Sequence, residues 1–216
     1  MTVEVELKAR VADPELTRSR LKSRATGEPS TYHDTYYDWP DHRLTDAGRQ
    51  ELRLRIVTSE QTTHCILTYK GAATSATDTP EYETDVADSA TLDSILAHLG
   101  LTHLISYTKN CLNYQFSAHG YPMLATLAQV PELDAVFLEV ETVIPDTTSS
   151  DTAVTAIHQT LTDLGLGEDD LDPTFYIDMV TAARGDLTTS KTATEPTHPF
   201  TGVGTDGVSN THSVSR

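Results

Sequence analysis

Basic residues are what this chain has least of. Lysine and arginine together number 15 against 32 aspartates and glutamates, a formal charge of −17 at pH 7. Lysine occurs only at positions 8, 22, 70, 109 and 191. A field of that sign repels phosphate polymers and anionic lipid surfaces, which excludes nucleic acid and membranes as general partners. A phosphate ligand would need a locally basic site inside an acidic shell. Cysteine is sparser still: Cys65 and Cys111 are too few for a disulfide framework and do not fit a metal-ligand spacing. The nine histidines form no ligand constellation. No apolar run approaches the ~20 residues that cross a bilayer, and Met1 is followed by a charged strand rather than an apolar leader. These absences predict a soluble, cytoplasmic protein. The shortage of lysine beside abundant Asp and Thr predicts adaptation to high salt, which screens the self-repulsion of so acidic a chain.

What the chain does have is alternation. Residues 2–11 alternate strictly and predict a strand. Further strands are predicted at 33–38 (HDTYYD), 51–57 (ELRLRIV), 64–70 (HCILTYK), 81–86, 103–109, 111–117 and 136–144. Asp13-Pro14-Glu15 reads as a helix start, with Asp13 as N-cap and Leu16 and Leu21 on the apolar side. Leu92, Ile95, Leu96 and Leu99 predict a helix ended by Gly100. Val154, Ile157, Leu161 and Leu164 predict another ended by Gly165, and a short helix is expected over 175–183. About eight strands with a few helices make an α+β fold on a mostly antiparallel sheet. Residues 1–184 read as one domain, and the Thr-, Ser-, Gly- and Pro-rich stretch 185–216 as a disordered polar tail.

The alternation carries charge. Glu4, Glu6 and Lys8 share one face of the first strand, opposite Val5 and Leu7. Arg53 and Arg55 share a face, as do Ile66, Thr68 and Lys70, then Glu81, Glu83 and Asp85, then Phe137, Glu139 and Glu141. For any one strand, a polar face turned to water accounts for the pattern. Pooled over five strands and both signs, it points instead to an ionic lumen inside a closed barrel, with the Leu/Val/Ile faces outside under the helices. Converging Arg and Lys side chains match a polyphosphate. Carboxylates beside them match a hard divalent cation. Either set buried alone would be costly.

The segments Glu4-Val5-Glu6-Leu7-Lys8 (an ExExK motif), DTYYD at 34–38, LRLR at 52–55, LTYKG at 67–71, EYE at 81–83, Lys109 and FLEVE at 137–141 follow one another in an order that resembles the CYTH family of triphosphate tunnel enzymes. The likeness covers roughly residues 2–183 and touches both the archaeal class IV adenylate cyclase-like branch and the thiamine triphosphatase branch. It implies an eight-stranded antiparallel β-barrel with flanking helices. Lys8, Arg53, Arg55, Lys70 and Lys109 match the family's phosphate ligands. Glu4, Glu6, Glu139 and Glu141 match its metal-binding carboxylates, for Mg²⁺ or Mn²⁺, with Glu81 and Glu83 also in the tunnel. Tyr36 with Lys70 resembles a water-activating pair. The pattern departs at Cys111, where the family has an arginine, and at Ala128-Gln129, near an expected aspartate. The implied activity is cyclase-like conversion of ATP to cyclic AMP and pyrophosphate. The alternatives are hydrolysis of tripolyphosphate or thiamine triphosphate, and non-catalytic binding of a polyphosphate or nucleotide. A homodimer is left open.

Overall fold

The computed structural model describes residues 2–72, 78–145 and 149–192, with side chains placed for all of these except residues 2, 78, 79 and 186–192. Eight strands run β1 (Thr2–Arg10), β2 (Glu28–Asp38), β3 (Glu51–Ser59), β4 (Thr63–Lys70), β5 (Asp78–Asp85), β6 (Thr102–Ala118), β7 (Tyr121–Gln129) and β8 (Val136–Pro145). The helices are α1 (Pro14–Lys22), α2 (Arg43–Asp46), α3 (Ser89–His98), α4 (Asp151–Asp163) and α5 (Tyr176–Thr192). Every strand pairing is antiparallel, and the sheet closes into a barrel in the order β1-β5-β4-β3-β2-β6-β7-β8.

Register decides what faces inward. Directly opposed residues share a face of the sheet. Lys8 opposes Glu139 and Glu6 opposes Glu141. Asp34 opposes Arg55 on one side and Tyr107 on the other. Tyr32 opposes Lys109, and Lys70 opposes both Glu51 and Glu81. The charged alternates of the strands therefore all meet on the inside. The intervening Val5, Leu138 and Val140 are fully buried on the outside, packed with Ile157 and Leu161 of α4. Burying each such side chain is worth about 1.5–3 kcal/mol, which clamps α4 onto β1 and β8. One seam is thin. β5 pairs with β1 only at Val3–Val5, and the segment after Gly167 completes the wall, with Leu171 bridging Ala9 and Asp172 N–H donating to the Lys8 carbonyl at 2.8 Å.

The expected eight strands are present, but not all where the sequence placed them. The predicted strands at 103–109 and 111–117 are one 17-residue strand, β6, because Asn110 pairs with Thr31 on one side and Gln129 on the other instead of breaking the ladder. The strand that restores the count is β7, unexpected because YPMLATLAQ is poor in β-branched residues and carries a proline. It follows a tight turn at His119 (φ 50°) and Gly120 (φ 86°), the positive dihedrals that favour a two-residue hairpin. β2 begins at Glu28 rather than His33, pairing with β6 from Glu28 and with β3 from Ser30, so Pro29 sits where the strand has one neighbour. Asp13 caps α1 as expected, accepting from Leu16 N–H at 3.0 Å, but Leu16 is 47 % exposed and Leu21 alone carries the apolar contact expected of the pair. On α3 only Leu96 is buried, while Ile95 and Leu99 stay exposed at 49 % and 66 %. The last helix runs on to Thr192, and the remainder of the expected tail, 193–216, lies outside the described residues.

Candidate active site in the barrel interior

The barrel encloses a cavity of about 980 Å³ lined by Lys8, Arg53, Arg55, Lys70, Lys109 and the carboxylates of Glu4, Glu6, Glu81, Glu83, Glu139 and Glu141. Every phosphate- or metal-site candidate named from the sequence, together with Glu81 and Glu83, thus reaches one volume, delivered by six strands.

On one side the charges are matched. Arg55 donates from Nε and Nη2 to the two oxygens of Asp34 at 2.7 and 2.8 Å, a bidentate pair in which Asp34 is fully buried. Burial alone would push that carboxyl up; Arg55 overrides it and holds Asp34 down at about 2. Lys109 donates to both oxygens of Glu139 at 3.0 Å. Burial is again outweighed, here by Lys109, and Glu139 sits below the ordinary carboxylate range. Tyr32 lies against Arg55 with its ring centroid 4.5 Å from the guanidinium, and its hydroxyl accepts from Asn113 at 2.8 Å.

On the other side carboxylates crowd. Lys70 Nζ is 3.2 Å from Glu4 and 3.6 Å from Glu81. Despite burial, Lys70 holds Glu4 down at about 2. Nothing rescues the others. Burial, Glu139 and Glu4 push Glu6 up to about 7, and burial with a hydrogen bond to Glu4 pushes Glu81 up to about 8. Burial, Glu4 and Glu6 raise Glu141 well above its usual range. Glu4, Glu6 and Glu141 each offer an oxygen, all within 4.8 Å of one another. Three hard oxygen donors this close, with one lysine beside Glu4, fit a divalent cation, which would neutralise them together. Glu139, expected among these donors, stands outside the trio with Lys109.

Arg53 lies between the two sides. Its Nη2 is 3.8 Å from Glu83 and 3.9 Å from Glu81 and donates to Thr68 Oγ1 at 3.3 Å, while its buried Nε has no hydrogen-bond partner among the described residues.

A model of the CYTH domain matches residues 2–176. The chain belongs to the CYTH family. Its fold resembles that of the PH1819 protein from Pyrococcus horikoshii (TM-score 0.73, 22 % identity, covering 83 % of this chain and 98 % of that one). It also resembles a candidate adenylate cyclase from Vibrio parahaemolyticus (0.69, 22 %, 83 % and 97 %). A third likeness is to a candidate adenylyl cyclase from Hippeastrum described as having a dominant triphosphatase activity (0.60, 14 %, 84 % and 96 %). The search of curated proteins found no match. No helix among the described residues is long and apolar enough to cross a membrane.

Against this CYTH barrel the sequence reading missed part of the site. Tyr36 and Lys70 are not joined by any described contact: the Tyr36 hydroxyl is 3.1 Å from that of Tyr107, and Lys70 serves Glu4 and Glu81. Asp34, within DTYYD, backs the site through Arg55 and alternates with Tyr32 and Tyr36 as Arg53 does with Arg55. Tyr107, Asn113 and Tyr176 also line the cavity. For Tyr107 and Asn113 the signal was the same period as Lys109; Tyr176, the first residue of a helix, lies outside any strand alternation. Cys111 is buried beside Lys109, and burial pushes its thiol up to about 12, so it stays protonated and unreactive.

Proposed function

We propose that this CYTH protein turns over a triphosphate with the help of a divalent cation, Mg²⁺ or Mn²⁺, and that hydrolysis of the terminal phosphoryl group is the reaction its geometry favours. The observation that carries the reading is the convergence of Lys8, Arg53, Arg55, Lys70 and Lys109 on one cavity with three carboxylates able to share a cation. Held by Glu4, Glu6 and Glu141, such a cation supplies charge neutralisation at phosphate oxygens. The chain's own groups do the rest. Arg53 offers a guanidinium fork, its Nε without a hydrogen-bond partner among the described residues, and Arg55 lines the same cavity with its Nε and Nη2 engaged by Asp34. Burial lowers the basicity of Lys70, but Glu4 and Glu81 outweigh it and raise the group, so Lys70 remains an ammonium that holds phosphate and orients water rather than taking a proton. Tyr36, tied to Tyr107, enters as part of the wall.

Hydrolysis needs only the phosphate chain and a water held in line, with no nucleoside to orient. The triphosphatase activity ascribed to the Hippeastrum protein supports this preference. Cyclisation is the second reading: the ribose 3′-oxygen of ATP attacks the α-phosphorus and pyrophosphate leaves. The Vibrio protein's description favours it. One assay separates them. The protein, kept in molar salt with Mn²⁺ or Mg²⁺, is offered ATP, tripolyphosphate and thiamine triphosphate, and the products are resolved by chromatography. Orthophosphate is expected; cyclic AMP with pyrophosphate makes it a cyclase. Binding without turnover makes it a polyphosphate-binding protein, the outcome that Cys111 and Gln129 would explain. No binding of tripolyphosphate with metal present overturns the tunnel reading.

A further inference from the structure

Tyr176 opens α5, yet its ring lines the tunnel. The segment leading to it lies along the half of β1 that β5 leaves unpaired. Besides the Leu171–Ala9 bridge and the Asp172–Lys8 backbone bond, Asp172 Oδ2 accepts from Arg10 Nε at 2.6 Å, and Lys8 Nζ donates to the Thr174 carbonyl. The ring is then fixed by Phe137, edge-on at 5.3 Å between centroids, and Tyr107 at 6.2 Å. Two ammonium groups rest against it. Lys8 Nζ is 4.3 Å from the Tyr176 centroid and Lys109 Nζ is 4.7 Å from it.

Two cations this close repel one another. The negative face of an aromatic ring offsets that repulsion without using a hydrogen-bond donor. A lysine ammonium has three donors. Among the described residues Lys8 spends one on Thr174 and Lys109 spends two on Glu139. Both lysines line the one cavity, and their remaining donors are left for an anion there.

We propose that Tyr176 is a positioning residue of the phosphate site, its ring holding the Lys8 and Lys109 ammonium groups side by side for one phosphoryl group. This rests on the triphosphate reading above. Glu139 already meets Lys109, and a second carboxylate in place of the ring would hold both lysines close but leave a phosphate still less positive charge to meet. The ring leaves that charge in place.

The test varies the ring's charge at constant shape. In the full-length protein Tyr176→Phe is followed by progressively fluorinated phenylalanines at the same position, and tripolyphosphate binding is measured by calorimetry with Mg²⁺. Tyr176→Phe keeps most of the affinity. Along the fluorinated series the affinity falls stepwise, by about tenfold overall, while Tm stays nearly constant. A flat affinity series overturns the proposal, as does a fall in Tm with affinity unchanged, which is what a purely structural ring would give. Wild-type protein that releases no heat with tripolyphosphate removes the triphosphate reading and this proposal with it, before any variant is compared.

Discussion

Arg55 and Lys109 each meet a carboxylate of their own, Asp34 and Glu139, through two short bonds apiece. Across the tunnel Lys70 faces Glu4 and Glu81, with Glu6 and Glu141 behind them and Arg53 Nη2 3.9 Å from Glu81. Both sides grew from the same sequence pattern, charges two apart on a strand. Their electrostatics differ because the matched side is complete as folded, whereas the acidic side has more carboxyl groups than its cations can keep ionised. A matched interior can hold a barrel in register by itself. A side that holds protons for want of cations can ionise fully when a divalent cation takes their place. Function is therefore argued most strongly from the acidic side, and stability from the matched side.

The comparison breaks first at Asp34. Asp34→Asn keeps the shape but leaves Arg55 buried beside a neutral amide. Removing one partner of a buried pair costs about 3–5 kcal/mol, to be read from the urea midpoint and slope. Added tripolyphosphate should return part of the loss, because a phosphate can take over as the anion facing Arg55. A loss below about 1 kcal/mol would mean that Arg55 finds another carboxylate and that the side is not matched pair by pair.

On the acidic side the same kind of substitution should spare the fold. Glu6→Gln removes a carboxylate that Glu139 and Glu4 already repel. The expected result is a metal-free Tm that holds or rises, with metal-dependent turnover falling on the order of a hundredfold. Equal loss of stability and activity would make Glu6 a structural ion-pair member instead.

The pH response of the matched side follows from Asp34, whose carboxyl lies at about 2 in the fold against 3.8 ordinarily. A depressed acid contributes stability that is fully present above its unfolded value and is lost as pH falls through its folded one. The contribution is about 2 kcal/mol, present above pH ~4 and gone below pH ~2. Carbon-detected titration of the Asp34 carboxyl should show a midpoint near the lower value. A midpoint near 3.8 would show that Arg55 does not hold it.

Legibility in the sequence followed the same division. Glu4, Glu6, Arg53, Arg55 and Lys70 were readable because strict alternation fixes which side chains share a face, and closure of the sheet then brings those faces together. Alternation says nothing about which strands become neighbours across the lumen. The partition of Glu139 to Lys109 rather than to Glu4 and Glu6, and of Tyr36 to Tyr107 rather than to Lys70, depends on barrel register and emerged only with the fold. β7 was hidden because its inner face is Leu124, Thr126 and Ala128, with no charge to mark it. Alternation does not reach Tyr176, because a helix, not a strand, carries it into the tunnel.

The smallest expected effect marks where the acidic side ends. Glu83 continues the same inner face as Glu81, and the sequence gives no reason to separate them. In the fold its side chain is 49 % exposed, 3.8 Å from Arg53 Nη2, and accepts from Thr68 Oγ1 at 2.7 Å. Water screens an ion pair that open, so Glu83→Gln should change stability by less than about 1 kcal/mol. The amide can still accept from Thr68, which keeps the local geometry. The effect should also fade with added salt, as screening removes what little the pair contributes. Denaturation of Glu83→Gln at low and molar salt checks both statements. A larger loss that persists in molar salt would extend the strongly coupled carboxylate group one residue pair further along β5, and would make Arg53 a member of that group rather than the boundary between the two sides.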